Sequence, residues 1–329
     1  MTSAPLWITE KEVTAVLTLT DAMDALERTL LMEGEGKARN MTKAHLMVAE
    51  NDAMHALGAS VEGAGLCGFK TWINVRGKSE TIVSLFSQED GSLKAIIEAT
   101  ALGQLRTAAM TGVGTRRLAP ANAQDMAIIG TGKQALPQIG ACNIARPLKT
   151  LRIFSRDPKN REALVNQVKN QFDCDVINSS SLEEALEGAP LLTLVTNSTQ
   201  PFLTSAMLEK GTHVNAMGAI VPARVEFTQD IFPRCAVVAV DNTENVKNLS
   251  AEFRSYFGNS PQQWETVRTI GKIISEDVTR PPDADLTLFK AMGMGISDLA
   301  MAVEIYNRVS GSDAAHLAPE RVKVPPRLK

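Results

Sequence analysis

Met126-Ala-Ile-Ile-Gly-Thr-Gly-Lys-Gln-Ala135 decides the fold. Met126 to Ile129 is a short apolar run of the kind that forms a buried strand. It stops at Gly130-Thr131-Gly132, and helix-compatible sequence begins near Gln134. Gly-x-Gly-x-x-Ala between a strand and a helix is the pattern of a dinucleotide-binding turn. Gly130 permits the tight turn, Gly132 lets the backbone approach a pyrophosphate, and Ala135 takes the third small position, where helix and strand pack closely. Free N–H groups at the helix start add a partial positive charge for the phosphates. Thr131, Lys133 and Gln134 complete the candidate cofactor turn. The competing reading is a glycine turn between any strand and helix. The context weighs against it: Thr150-Leu-Arg-Ile-Phe154 is a second apolar strand about one βαβ unit later, and more alternation follows.

Working outward, strands are expected at 126–129, 150–154, 174–177, 191–195, 212–217 and 236–240, with helices at 133–145, 158–171, 181–187 and 204–209. This alternation demands a parallel sheet with helices on both faces. Further helices are expected at 261–276 and 289–309, the second with an apolar face built from Met292, Met294, Ile296, Leu299, Val303 and Ile305. Before the glycine turn the pattern differs. Thr9-Glu-Lys-Glu12 is a capping box, and Thr20 or Asp21 is expected to cap a second helix. Strands follow at 43–48, 54–60, 69–73, 81–86 and 93–97, with Asp90-Gly91 as a hairpin signal. A helix rich in small residues, 101–118, then leads to Pro120, and its small side chains let a backbone or ligand come close. The proline-rich, basic stretch 319–329 reads as a surface arm.

The bulk numbers bound the function. The 329 residues suffice for two domains, and 44% hydrophobic with 22% charged residues is ordinary for a soluble globular chain. A net charge of −3 gives no electrostatic case for nucleic acid or an anionic membrane. No apolar run reaches membrane-spanning length, and the first residues lack the regions of a signal peptide. Four scattered cysteines fit a reducing cytoplasm, and four scattered histidines give no metal-ligand spacing. A cytoplasmic enzyme without a metal is therefore expected.

Two cations stand out. Lys70 lies on an otherwise apolar strand, sharing a face with Trp72 and Asn74, so it either snorkels to water or faces a cleft. Arg106, in Leu-Arg-Thr-Ala-Ala, has few local partners and suits a carboxylate gripped by two parallel hydrogen bonds; the alternative is an interdomain salt bridge. Lys43 and His45 alternate on an earlier strand within reach of the same cleft, although His45 alone reads more simply as a satisfied surface or core histidine.

Lys70, Arg106-Thr-Ala-Ala109, Gly130-Thr-Gly-Lys-Gln-Ala135, Gly211-Thr-His-Val-Asn-Ala-Met-Gly218 and Phe289-Lys-Ala-Met-Gly293, in this order, resemble the ornithine cyclodeaminase/mu-crystallin family over nearly the whole chain. The resemblance implies a homodimer, with a Rossmann doubly wound parallel sheet (120–285) inserted in a second α+β dimerisation and substrate domain (1–119 plus 286–329). It implies NAD(P)-linked chemistry at a carbon bearing nitrogen, with Lys70 and Arg106 gripping a substrate carboxylate. A further family arginine falls at Lys43, which keeps the charge and loses the bidentate fork. Thr107 and the strand ends Thr196-Asn197-Ser198 and Met217-Gly218 join the cofactor-binding set.

One departure selects among activities. In ornithine cyclodeaminases the block after the glycine strand resembles Gly-Gly-Asp-x-Pro-Gly-Lys, whose Asp is the acid/base. Here Ile220 stands in its place, as mu-crystallin-like ketimine reductases also lack the Asp. The expectation is reduction of a small imino acid, such as pyrroline-2-carboxylate or a linear imine, to the L-amino acid. The alternatives are a cyclodeaminase, an alanine-dehydrogenase-like enzyme, and a low-turnover dinucleotide-binding protein of the mu-crystallin type. Ser155 stands where NAD-selective folds carry an acid, and Arg156 follows it, so NADPH is expected with NADH possible. Asp157 could instead turn inward to the ribose.

Overall fold

The computed structural model describes residues 4–50, 52–310 and 316–319. The arm expected at 319–329 lies outside the described residues from 320 onward. The described residues build two eight-stranded sheets. The first is mostly antiparallel and runs, in spatial order, His316–Leu317, Leu6–Ile8, Leu93–Glu98, Lys78–Ser87, Leu66–Val75, Asp52–Val61 and Ala38–Asn40, with Ala44–Ala49 also paired to Asp52–Val61. The second is wholly parallel. Its order is Asp175–Asn178, Thr150–Phe154, Asp125–Ile129, Leu191–Leu194, His213–Ala216, Leu286–Lys290, Cys235–Val240 and Val267–Thr269. Strand order reverses between Asp125–Ile129 and Leu191–Leu194, which opens a crevice at their C-terminal ends. This is the expected Rossmann sheet, inserted in a second α+β unit.

Helix Thr100–Leu118 joins the two units, and its small residues explain how. A Cβ added at Gly112 would lie 2.5 Å from Met23, and one at Gly114 would lie 2.4 Å from the Phe289 ring. One core cluster therefore runs through both units, taking Met23, Leu26 and Leu85 from the first and Ala141, Ala239 and Phe289 from the second.

Four expectations need correction. Residues 204–209 form only a single 3-10 turn, Ser205–Met207. The helix expected over 261–276 divides into Pro261–Trp264, strand Val267–Thr269 and helix Ile270–Ser275, because Val267-Arg-Thr269 pairs with Val238–Val240. The helix expected over 289–309 begins only at Gly295, and Leu286–Lys290 is an interior strand of the parallel sheet. All five residues of that strand are buried, so it lacks the alternation that marks a half-exposed strand. Gly293, at φ +88°, separates it from the helix. Finally, Thr18 caps helix Leu19–Gly34, with Asp21 as the reciprocal partner at its third position.

Candidate functional site

A cavity of about 1400 Å³ lies where the crevice of the parallel sheet meets strand Leu66–Val75 and helix Thr100–Leu118. Its cofactor-like half is built by the glycine turn. Gly130 has φ +114°, and a Cβ there would lie 2.7 Å from the Val195 carbonyl oxygen, so both conformation and space require glycine. A Cβ on Gly132 would meet nothing within 4 Å, so this part of the turn opens on free space. Ala135 is fully buried, and its N–H donates to the Gly132 carbonyl at 2.9 Å. Helix Ala135–Ala145 begins without a side-chain cap, but the Ala135 N–H is bonded to the Gly132 carbonyl, Pro137 has no N–H and the Gln138 N–H is bonded to the Gln134 carbonyl, so an anion here would be met chiefly by the turn itself. This turn has the shape that a dinucleotide pyrophosphate needs.

Thr131, Lys133, Gln134, Ser155, Arg156, Thr107, Thr196, Asn197, Ser198, Met217 and Gly218 all line the same cavity. Thr131 Oγ1 donates to Ser155 Oγ at 3.2 Å, and Ser155 Oγ donates to the Asp157 carbonyl at 3.0 Å. The Asp157 carboxylate is occupied as a helix cap, accepting from the Lys159 and Asn160 N–H groups and from the Asn160 amide. Arg156 is exposed, lines the cavity, and has no ion pair among the described residues.

The opposite half holds the cations. Lys70, 7% exposed, sits with Trp72 and Asn74 on the cavity face of strand Leu66–Val75. Its Nζ lies 2.9 Å from Asp298 Oδ1. The same carboxylate oxygen lies 3.2 Å from Arg106 Nε. Asp298, itself 2% exposed, comes from helix Gly295–Val309. Burial pushes the Lys70 ammonium below the ordinary lysine range; Asp298 opposes that shift, and Arg106 and Lys43 add to it. Lys43 Nζ sits 5.5 Å from the centre of the Trp72 ring, beside Lys70 Nζ at 5.1 Å. Burial and the Arg106 charge lower the Lys43 pKa as well. The structure thus brings Lys70 and Arg106 together on one buried carboxylate in the cavity wall, while Lys43, whose charge both of them feel, is not among the residues that line the cavity. A positive excess remains, suited to a small carboxylate.

Sequence reasoning missed three buried carboxylates that hold this arrangement. Asp298 had a signal: a charged residue on the apolar face between Ile296 and Leu299. Asp241 accepts from the Met292 N–H at 3.0 Å and the Gly293 N–H at 2.6 Å, fixing a loop against Arg106. At Gly293 a Cβ would lie 3.3 Å from Arg106 Nη1. Burial raises the Asp241 pKa, against the pull of these N–H donors. Glu226 joins two strand ends. Its Oε1 accepts from the Thr196 N–H and hydroxyl, both at 2.8 Å, and its Oε2 accepts from the N–H groups of Gly218 at 3.0 Å and Ala219 at 2.9 Å. His55 was also missed. It stacks on Trp72 with 4.6 Å between ring centres, and His45 lies 6.1 Å beyond it. Ile220 lines the cavity, so the position singled out in the sequence does face the candidate site.

Comparison with known proteins agrees with this fold. The chain is 29% identical over 233 residues to a Delta(1)-pyrroline-2-carboxylate reductase of Bacillus cereus, covering 69% of this chain and 70% of the relative. An archaeal alanine dehydrogenase, solved as a dimer with bound NAD, superposes with a TM-score of 0.87 at 26% identity, covering 96% of this chain and 99% of that one. The Delta(1)-pyrroline-2-carboxylate reductase of Thermococcus litoralis, solved with NADH and L-proline, has a TM-score of 0.85 at 21% identity, with 92% and 97% covered. The model of the ornithine cyclodeaminase/mu-crystallin family matches residues 5–313, nearly the whole chain, and the protein belongs to that family.

Proposed function

We propose that this protein is an NAD(P)H-dependent reductase of a small α-imino acid, yielding the L-amino acid. The observation that carries the reading is the placement of Lys70 and Arg106 in the same cavity as the Gly130–Gly132 turn. When bound, the nicotinamide supplies the hydride; the protein supplies position and charge. Arg106 and Lys70 hold the substrate carboxylate and so aim the C=N carbon at the strand ends stitched by Glu226. The depressed Lys70 pKa makes its ammonium a more willing proton donor towards the imine nitrogen than an ordinary lysine. Relatives named as imino acid reductases support the reaction class.

The test is a panel of cyclic and linear imino acids with both reduced cofactors, followed at the nicotinamide absorbance. Turnover of pyrroline-2-carboxylate is expected, with no ammonia released from ornithine, because Ile220 cannot move a proton. Steady proline formation from ornithine without added imine would make the protein a cyclodeaminase. Activity only with a keto acid plus ammonia would favour the amino-acid dehydrogenase reading, which the alanine dehydrogenase fold neighbour keeps in view.

Three further readings belong to this proposal. NADPH is the preferred cofactor, because Asp157 is spent as a cap while Arg156 and Lys133 face the cavity. The chain forms a homodimer through the outer face of the antiparallel sheet, where Leu46, Met54, Phe69, Ile73 and Ile82 leave apolar surface exposed. We place the boundary between the two domains at 119/120. On the return, strand Leu286–Lys290 moves into the dinucleotide domain and helix Gly295–Val309 stays with the substrate domain.

A further inference from the structure

Gln138 is fully buried, yet neither its amide nitrogen nor its amide oxygen has a hydrogen-bond partner among the described residues. A carboxamide sealed from water without partners costs free energy, and folded proteins rarely leave both ends bare. Gln138 lines the large cavity, one helical turn beyond Gln134, whose side-chain oxygen is also buried and unpartnered. Residues four apart share a helix face, so the two amides form a column running inward from the glycine turn. Thr107 and Met110, on helix Thr100–Leu118, line the cavity with them. No structural partner explains the column; a ligand lying along the turn would.

We propose that Gln138 is a binding residue of the dinucleotide site, donating from Nε2 to an oxygen of the nicotinamide-side phosphate and accepting at Oε1 from a hydroxyl of the nicotinamide-side ribose. The two bare ends call for a ligand offering both an acceptor and a donor, and a ribose phosphate offers both. The inference rests on the proposed cofactor reading. It adds a contact a full turn inside the helix, beyond the reach of the Gly-x-Gly-x-x-Ala pattern.

Gln138→Met keeps the shape and removes both polar ends. In the cofactor-free protein it should hold or raise Tm, because an unpaired buried amide is gone. Its Kd for NADPH and for ADP-ribose should rise about tenfold, the worth of one or two hydrogen bonds. Binding of AMP, which lacks the second ribose, should stay at the wild-type value. Gln138→Glu, nearly the same size, should weaken NADPH and ADP-ribose further by setting a carboxylate against phosphate. It serves as the second variant should the methionine form fold poorly. Wild-type affinity for ADP-ribose in a folded variant overturns the inference, as does equal weakening of AMP, which would make Gln138 a structural residue. A wild-type protein that binds neither NADPH nor NADH would instead overturn the cofactor reading, and the inference with it.

Discussion

Asp298 Oδ1 stands 2.9 Å from Lys70 Nζ and 3.2 Å from Arg106 Nε, so one buried carboxylate is shared by these two cations of the cavity wall. The pairing bears on the two alternatives left open for these residues. Lys70 does not snorkel to bulk water, and the ion pair made by Arg106 is to the same acid that holds Lys70. On the proposed reading, the shared carboxylate holds each cation on one side while its remaining donors are kept for a substrate carboxylate on the other.

Removal of that anchor should be costly. In Asp298→Asn, Lys70 and Arg106 lose their shared counter-charge in a buried setting, and breaking a buried pair by deleting one partner costs about 3–5 kcal/mol. The variant should unfold at clearly lower denaturant than wild type, with catalytic efficiency reduced as well. Wild-type stability in a urea titration would show that the cations find other compensation.

Arg106→Lys should weaken turnover and spare the cofactor. A charge-assisted bidentate contact is worth roughly 1.5–3 kcal/mol, which corresponds to about a 10- to 150-fold loss in kcat/KM. Dinucleotide binding, followed by nicotinamide fluorescence, should remain near wild type. Unchanged catalytic efficiency would take Arg106 out of substrate binding.

Arg156→Ala should reduce selectivity for NADPH over NADH. The side chain is exposed and lines the cavity beside Ser155, where a 2′-phosphate would need a counter-charge. The ratio of catalytic efficiencies for the two cofactors, in wild type and variant, is the measurement. A wild type that prefers NADH and ignores the substitution would assign the choice to the backbone around Ser155.

His213 should make the fold acid-sensitive. It is fully buried, with Nδ1 2.9 Å from Thr287 Oγ1 and Nε2 3.1 Å from Asn215 Oδ1, and burial pushes its pKa down from 6.5 to about 3. Above pH 6.5 the ring is neutral in both folded and unfolded chains and contributes no pH dependence. Below that, the unfolded chain binds a proton that the folded one refuses, so stability falls as pH drops from 6.5 towards about 3. The loss by pH 5 is about 2 kcal/mol. His213→Gln should flatten this part of the stability–pH curve; an equal slope in both proteins would assign the acid sensitivity to other groups.

The glycine turn was legible because all its requirements are local. Gly130 needs a positive φ, Ala135 needs a small side chain, and the flanking strand and helix are neighbours in the chain. The same holds for the antiparallel strands, whose alternating residues mark a sheet with one exposed face. Ser155, Arg156 and the strand ends at 196–198 and 217–218 could be placed because a parallel sheet brings the C-terminal ends of its strands to one edge. Tertiary structure alone decided what lies behind the site. Asp298 reaches Lys70 across 228 positions, Glu226 reaches Thr196 across 30, and Asp241 reaches Gly293 across 52. No local periodicity encodes such pairings: a carboxylate is kept buried by the particular donors the fold delivers to it, and those donors are known only once the chain has closed. Strand Leu286–Lys290 was hidden for a related reason. Buried at every position between two parallel neighbours, Thr287 and Lys290 included, it shows no exposed face, and the hydrogen bonds to His213–Ala216 and Cys235–Val240 distinguish it from the start of a helix.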